Sequence, residues 1–296
     1  MKNQVFFEVN VSSYDERYSH RVYRPASLNK PKDNAVMFVT EGYVEKADEL
    51  THVHNCLVFW PELIAVPKQL SELHAVIPCE NPHNEYCRFF RDNKITNLPK
   101  KETVNTVDGA WIAETATIGE NTTIMPGAYV GGDCVIGRNV YIGCGTKLVG
   151  SVYVGDNVII RENTTIGADG LTTDREIDGC AITMPHFGGV VIEDDVIIGA
   201  NTVVARGAID DTRICRGAKL DNSCFISHNV VVGEDTFVVG ETIMFGSSST
   251  GSRCMISGNS TIRNGVHIGS DSLVGMGSVV TKNVEEKAVV KGSPAK

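Results

Sequence analysis

The chain has 296 residues, with 27 Lys and Arg against 36 Asp and Glu, a formal net charge of −9. That length allows two domains and a large buried core, while the acidic balance and the lack of any Lys/Arg-rich run exclude electrostatic binding to nucleic acid or to an anionic membrane surface. The chain holds no apolar run long enough to span a bilayer, and its opening residues lack a signal-peptide core, so a soluble cytoplasmic protein with a small-molecule or protein partner is expected.

Residues 1–105 show no repeat. Stretches 5–11, 35–40, 56–60 and 75–78 are short, rich in β-branched and aromatic residues and bounded by Pro, Asn or charged clusters, which predicts strands. Residues 44–52 and 82–90 predict helices, the second opened by Asn81 as cap and Pro82 in the first turn. A compact α/β domain follows, expected to cap the rest of the chain.

From Trp111 the pattern changes. Large apolar residues recur every sixth place from Ile112, Ile118 and Ile124 to Ile166, and four places after each of the first three stand Ala116, Thr122 and Ala128. Even spacing keeps both slots on one face of a strand, whereas a helix would need a 3.6 period. The register lapses over 171–189, resumes at Ile192, Ile198 and Val204, slips by four residues around 208–211, then runs from Ile214 to Val280 with Thr250 as its single departure. Such a period predicts a hexapeptide parallel β-helix, in which each coil covers the next. The expected organisation is an α/β domain over 1–105, a β-helix over 106–284 with an inserted loop at 171–189, and a tail over 285–296.

The nine cysteines form no C-x-x-C pair and no zinc spacing, and Cys134, Cys224 and Cys254 fall on the small slot. They predict apolar filler in a reducing compartment rather than a metal site.

The repeat resembles the left-handed β-helix acyltransferases, whose coils take three hexads. More narrowly, residues 25–281 are similar to the UDP-3-O-acylglucosamine N-acyltransferases of lipid A synthesis. The most specific stretch is Asp221-Asn222-Ser223-Cys224-Phe225-Ile226-Ser227-His228-Asn229, in which that family's histidine is the catalytic base. Also similar are Gly167-Ala168-Asp169-Gly170, Pro185-His186-Phe187-Gly188-Gly189-Val190 and Arg206-Gly207-Ala208-Ile209-Asp210-Asp211-Thr212. In the first domain, Ala26-Ser27-Leu28, Val36-Met37-Phe38 and Glu80-Asn81-Pro82 resemble the family's nucleotide-binding domain. The end, Lys291-Gly292-Ser293-Pro294-Ala295-Lys296, is similar to the tail of acetyl-CoA-using hexapeptide transferases and leaves no room for the helical extension that engages acyl carrier protein in lipid A enzymes.

The resemblance implies a homotrimeric N-acyltransferase with no permanently bound cofactor. It would move an acyl group from acyl-CoA or acyl carrier protein to the amine of a nucleotide-linked amino sugar. His228, third in its hexad, is expected to face outward as the base, and Gly246, three hexads on, to stack beside it and offer its N–H to an oxyanion. Expected substrate contacts are Phe38 and Tyr43 at the nucleotide, with Asn222, Asp210, Asp211, Asp169, Gly170, His186 and His267 around the sugar and acyl chain. Lys291 and Lys296 are expected at a CoA phosphate. Two other readings compete: acylation of a different nucleotide-linked amino-deoxy-sugar from acyl-CoA, and a β-helix that only binds partners. A metal enzyme on this scaffold would need converging histidines, and His186, His228 and His267 offer no close pair.

Overall fold

In the computed structural model, which describes residues 5–99 and 101–296, the chain divides into two units. One comprises the described residues up to Leu98 with Leu171–Phe187, the other Pro99–Gly170 with Gly188–Lys296.

In the first unit, four parallel strands pair in chain order: Arg24–Pro25, Ala35–Phe38, Leu57–Pro61 and Ala75–Cys79. All five residues of Leu57–Pro61 are buried, as expected of a parallel strand covered on both faces. A 3-10 helix, Glu41–His52, and helix α1, Lys68–Leu73, form crossovers, and α2, Pro82–Asp92, follows the last strand. The Asn81 side chain accepts the N–H of Asn84 at 3.1 Å and Pro82 opens the helix, as its sequence predicts. The expected strand over 5–11 shrinks to Val9–Asn10. There Asn10 Oδ1 accepts the Ser12 N–H at 3.1 Å and turns the chain into a short 3-10 helix, Val11–Ser13. Strand Arg24–Pro25 and helix α1 were not expected, being too short to carry a period.

Inserted in sequence into the repeat, residues 171–187 pack within this first unit as an antiparallel hairpin, Thr173–Arg175 with Ala181–Thr183. Its anchors lie on and beside α2. The Asn84 amide donates to the Arg175 carbonyl at 2.6 Å, Arg88 and Arg91 both pair with Glu176, and His83 Nδ1 lies 3.0 Å from Asp174.

Among the described residues the second unit is a parallel β-helix with three faces: nine parallel strands and the antiparallel Val104–Val107 on face A, eight on face B and nine on face C. Tyr129 pairs with Lys147 and Cys134 with Val152, so an ordinary coil takes three hexads. Two coils are longer. The first runs from Thr165 to its partner Val203 and contains the inserted segment; the second runs from Val203 to its partner Phe225 and contains the slip. Both irregularities stand where the sequence pattern lapses. The fold class is therefore the expected one, mainly β, a left-handed parallel β-helix preceded by a small α/β unit.

The large slots from Val130 to Val280 are all buried, and the small slots line the same core. Several polar small slots are satisfied from within: Thr146, Thr164 and Thr236 hydroxyls donate to the carbonyls of Arg161, Gly199 and Gly251 at 2.7, 2.8 and 3.0 Å. The exceptional Thr250 accepts the Gly233 N–H at 2.9 Å. At the first coil, Val104–Val107 folds back antiparallel on Ala110–Ala113 and covers the open edge of face A. The last strand, Val289–Val290, extends face C into what the sequence suggested was a tail.

Candidate active site

Both long coils bulge at the same place, the corner between faces A and B. Strand pairing stacks Ile166, Val204, Ile226, Met244 and Ile262 on face A, so the residues two places on, Ala168, Arg206, His228, Gly246 and Asn264, form a column along this corner. Asp169 and Gly170 sit at the first long coil, and Asp210 and Asp211 at the second. The expected Asp169, Gly170, Asp210, Asp211, His228 and Gly246 thus share one corner.

His228 is half-buried and lies outside the core. Its ring covers Gly246 closely: a methyl group on Gly246 would fall 2.5 Å from Cε1 and Nε2 and 3.1 Å from Cδ2. Among the described residues the Gly246 N–H meets no acceptor, while the next amide, Ser247 N–H, donates to the His228 carbonyl at 2.9 Å. The imidazole and the amide expected to act together are vertical neighbours.

Asp211 Oδ1 accepts the Gly189 N–H at 2.8 Å and so ties two successive coils together. His228 Nδ1 lies 3.1 Å from Asn229 Oδ1. The sequence reading overlooked Asn229, as it did Arg206. The guanidinium of Arg206 is nearly buried. Nε donates to the Gly188 carbonyl at 2.7 Å, Nη1 lies 3.9 Å from Asp169, and burial pushes its pKa down against the pull of that carboxylate.

The other expected contacts lie elsewhere. Asn222 is on the corner between faces C and A, where its Oδ1 accepts the Ala200 N–H at 2.7 Å; one hexad before His228, it must occupy the preceding corner. His267 opens a face B strand two coils beyond Val231, exposed, with Nδ1 2.9 Å from the Ser249 hydroxyl. Lys291 and Lys296 are exposed and hydrogen-bonded to each other through their backbones at the last coil. Lys291 follows the face C strand paired with Leu273–Val274, so the two lysines are not brought to the His228 corner of the same chain. In the first unit, the Phe38 ring packs on His83 and Tyr86, with centroids 5.2 and 4.8 Å away, and Tyr43 is exposed, with Lys46 over its ring. His186 lies within the inserted segment. It is 1% exposed, its Nε2 is 3.0 Å from the Thr172 hydroxyl, and its carbonyl accepts from Asn97, so it packs the inserted segment.

Residues 115–150 and 135–168 match the bacterial transferase hexapeptide (six repeats), and residues 181–206 and 249–282 match the hexapeptide repeat of succinyl-transferase. A UDP-3-O-acylglucosamine N-acyltransferase of Helicobacter hepaticus is 44% identical over 199 residues, 67% of this chain and 61% of that protein. Those of Wolinella succinogenes and Hahella chejuensis are 37% and 40% identical over 46% of this chain, and over 42% and 39% of their own. The chain resembles UDP-3-O-acylglucosamine N-acyltransferases. The match spans about two fifths to three fifths of each of these relatives. Among solved structures, a UDP-N-acetylglucosamine acyltransferase from Campylobacter jejuni superposes with a TM-score of 0.56 at 22% identity, over 64% of this chain and 71% of that one, a likeness of fold.

Proposed function

We propose that the protein is an N-acyltransferase that moves an acyl group from a thioester, acyl-CoA or acyl carrier protein, to the amine of a nucleotide-linked amino sugar; its relatives' name supports the N-acylation of a UDP-linked sugar. The observation that carries this reading is the close stacking of the His228 imidazole on the bare amide of Gly246, at the corner where both long coils bulge.

In this reading the neutral amine attacks the thioester carbonyl. His228 takes the proton that the nitrogen sheds, and the Gly246 N–H receives the developing oxyanion. Collapse of the tetrahedral intermediate forms the amide, breaks the C–S bond and releases a thiolate, which recovers the proton from the imidazolium. A homotrimer would bring face C–A corners, with Asn222, Lys291 and Lys296, towards the His228 corner of a neighbour. Phe38 and Tyr43 would belong to the nucleotide, Asp169 and Gly170 to the acyl arm, and Asp210 and His267 to the sugar. Nine free cysteines suit a reducing compartment such as the cytoplasm.

The test is to present purified protein with acyl-CoA and acyl carrier protein donors against UDP-, dTDP- and GDP-linked amino sugars, following thiol release. His228→Ala should lose about 10² to 10⁴ in kcat with folding retained by circular dichroism. Normal turnover by that variant removes the mechanism, and no turnover of any pair removes the enzyme reading.

A further inference from the structure

The Asn229 amide is gripped at both ends: Nδ2 donates to the Asp210 carbonyl at 2.7 Å, and Oδ1 accepts the Ala208 N–H at 3.0 Å. A backbone carbonyl only accepts and a backbone N–H only donates, so the amide has a single orientation. Exchanging its oxygen and nitrogen would set acceptor against acceptor and donor against donor. A third bond, from the Asn229 N–H to the Thr212 hydroxyl at 2.8 Å, holds the residue at a φ of 59°.

That oxygen also lies 3.1 Å from His228 Nδ1. Because the oxygen only accepts, the contact is a hydrogen bond when Nδ1 bears a hydrogen. We infer that Asn229 is a positioning residue that holds neutral His228 as its Nδ1–H tautomer and so makes Nε2 the proton-accepting nitrogen. The inference rests on the proposed role of His228 as base. Geometry points the same way: Nε2 and Cε1 form the ring edge that lies over Gly246, where the oxyanion donor is.

The four extra residues of the second long coil gain a purpose from this. Ala208 and Asp210, the two backbone partners of the amide, both belong to the bulge. The bulge turns so tightly that a methyl group on Gly207 would lie 1.6 Å from the Asp210 carbonyl oxygen and 3.0 Å from Asn229 Nδ2. An ordinary three-hexad coil would have no such loop to offer. The slip in the repeat is therefore the frame of the imidazole.

Two substitutions separate this role from mere packing. Asn229→Gly keeps the left-handed backbone but removes the amide, and Asn229→Asp restores an oxygen acceptor at Nδ1 with a negative charge. The experiment measures kcat and amine KM from about pH 5 to 9 for the parent chain, both variants and His228→Ala, with thermal melting alongside. Asn229→Gly should lose about 10- to 100-fold in kcat with KM changed by less than about threefold. Asn229→Asp should recover most of kcat and move the acid limb of kcat/KM to higher pH, because a carboxylate favours the imidazolium. Full kcat and an unmoved acid limb in Asn229→Gly, with His228→Ala inactive, overturns the positioning role alone. If Asn229→Gly does not fold, the aspartate variant decides: a limb that stays where it is in the parent chain overturns the role. An active His228→Ala overturns the underlying reading instead.

Discussion

Gly246 is the residue at which the site tolerates least. Gly246→Ala retains the N–H, so an effect on activity would come from the imidazole it displaces: the added methyl would stand 2.5 Å from Cε1 and Nε2. The backbone of Gly246 is not among the left-handed positions, so the substitution carries no φ strain. A shift of about 1 Å in a reacting group can cost about 10² in rate, and that loss in kcat is the expected outcome, with the melting temperature little changed. Equal loss of activity and of fold would mean that the ring is merely packed there. The pairing of positions 228 and 246 was legible from the sequence, because a period of six fixes phase once three hexads make a coil. Asn229 was not. Asn stands at left-handed turn positions throughout the unit, as at Asn121, Asn139, Asn157, Asn201 and Asn259, so one that also holds a histidine looks like the rest. The burial of His186 was not legible either: it lies where the period lapses, and nothing in an aperiodic stretch says which way a side chain turns.

At the scale of elements, the inserted hairpin owes its place beside α2 to charge. Glu176 meets both Arg88 and Arg91, and hydrogen bonding from Arg88 first, then from Arg91, holds its carboxyl below the usual glutamate range. A carboxylate whose folded pKa is depressed contributes stability that is complete above its unfolded pKa and lost as pH falls through the lower, folded value. Amide exchange over 171–187 should therefore be slow near neutrality and quicken below about pH 4. In Glu176→Gln it should already be faster near neutrality, with a weaker acid response. An acid response unchanged in the variant would assign it to another group, such as Asp174 beside His83. The hairpin itself escaped the sequence reading because Thr-Asp-Arg and Ala-Ile-Thr are too short to show alternation, and its partners on α2 lie far earlier in the chain, as the separation of 88 between Arg88 and Glu176 illustrates. The larger helix α2 was legible because its cap is local.

Over the whole molecule, stability comes from repetition: each coil buries its inward residues against the coils on either side, and the effect of one slot spreads only to its neighbours. This makes the fold the most legible level of all, since the six-residue period survives an inserted hairpin and a short slip, which displace the count without disturbing it. It also makes Thr250 a sharp test of whether a slot is governed by its apolar character or by the backbone around it. By pattern alone Thr250→Val should stabilise, as every other residue of that series is large and apolar. By structure it should destabilise, because the Thr250 hydroxyl accepts the Gly233 N–H at 2.9 Å in a buried setting and valine would leave that donor without an acceptor. An orphaned buried donor costs about 1–3 kcal/mol, more than the gain from replacing a hydroxyl by a methyl group of similar size. The urea midpoint, measured at one protein concentration because assembly would shift it, should fall with the slope unchanged. A rise would show that the hexad pattern outweighs the hydrogen bond at this position.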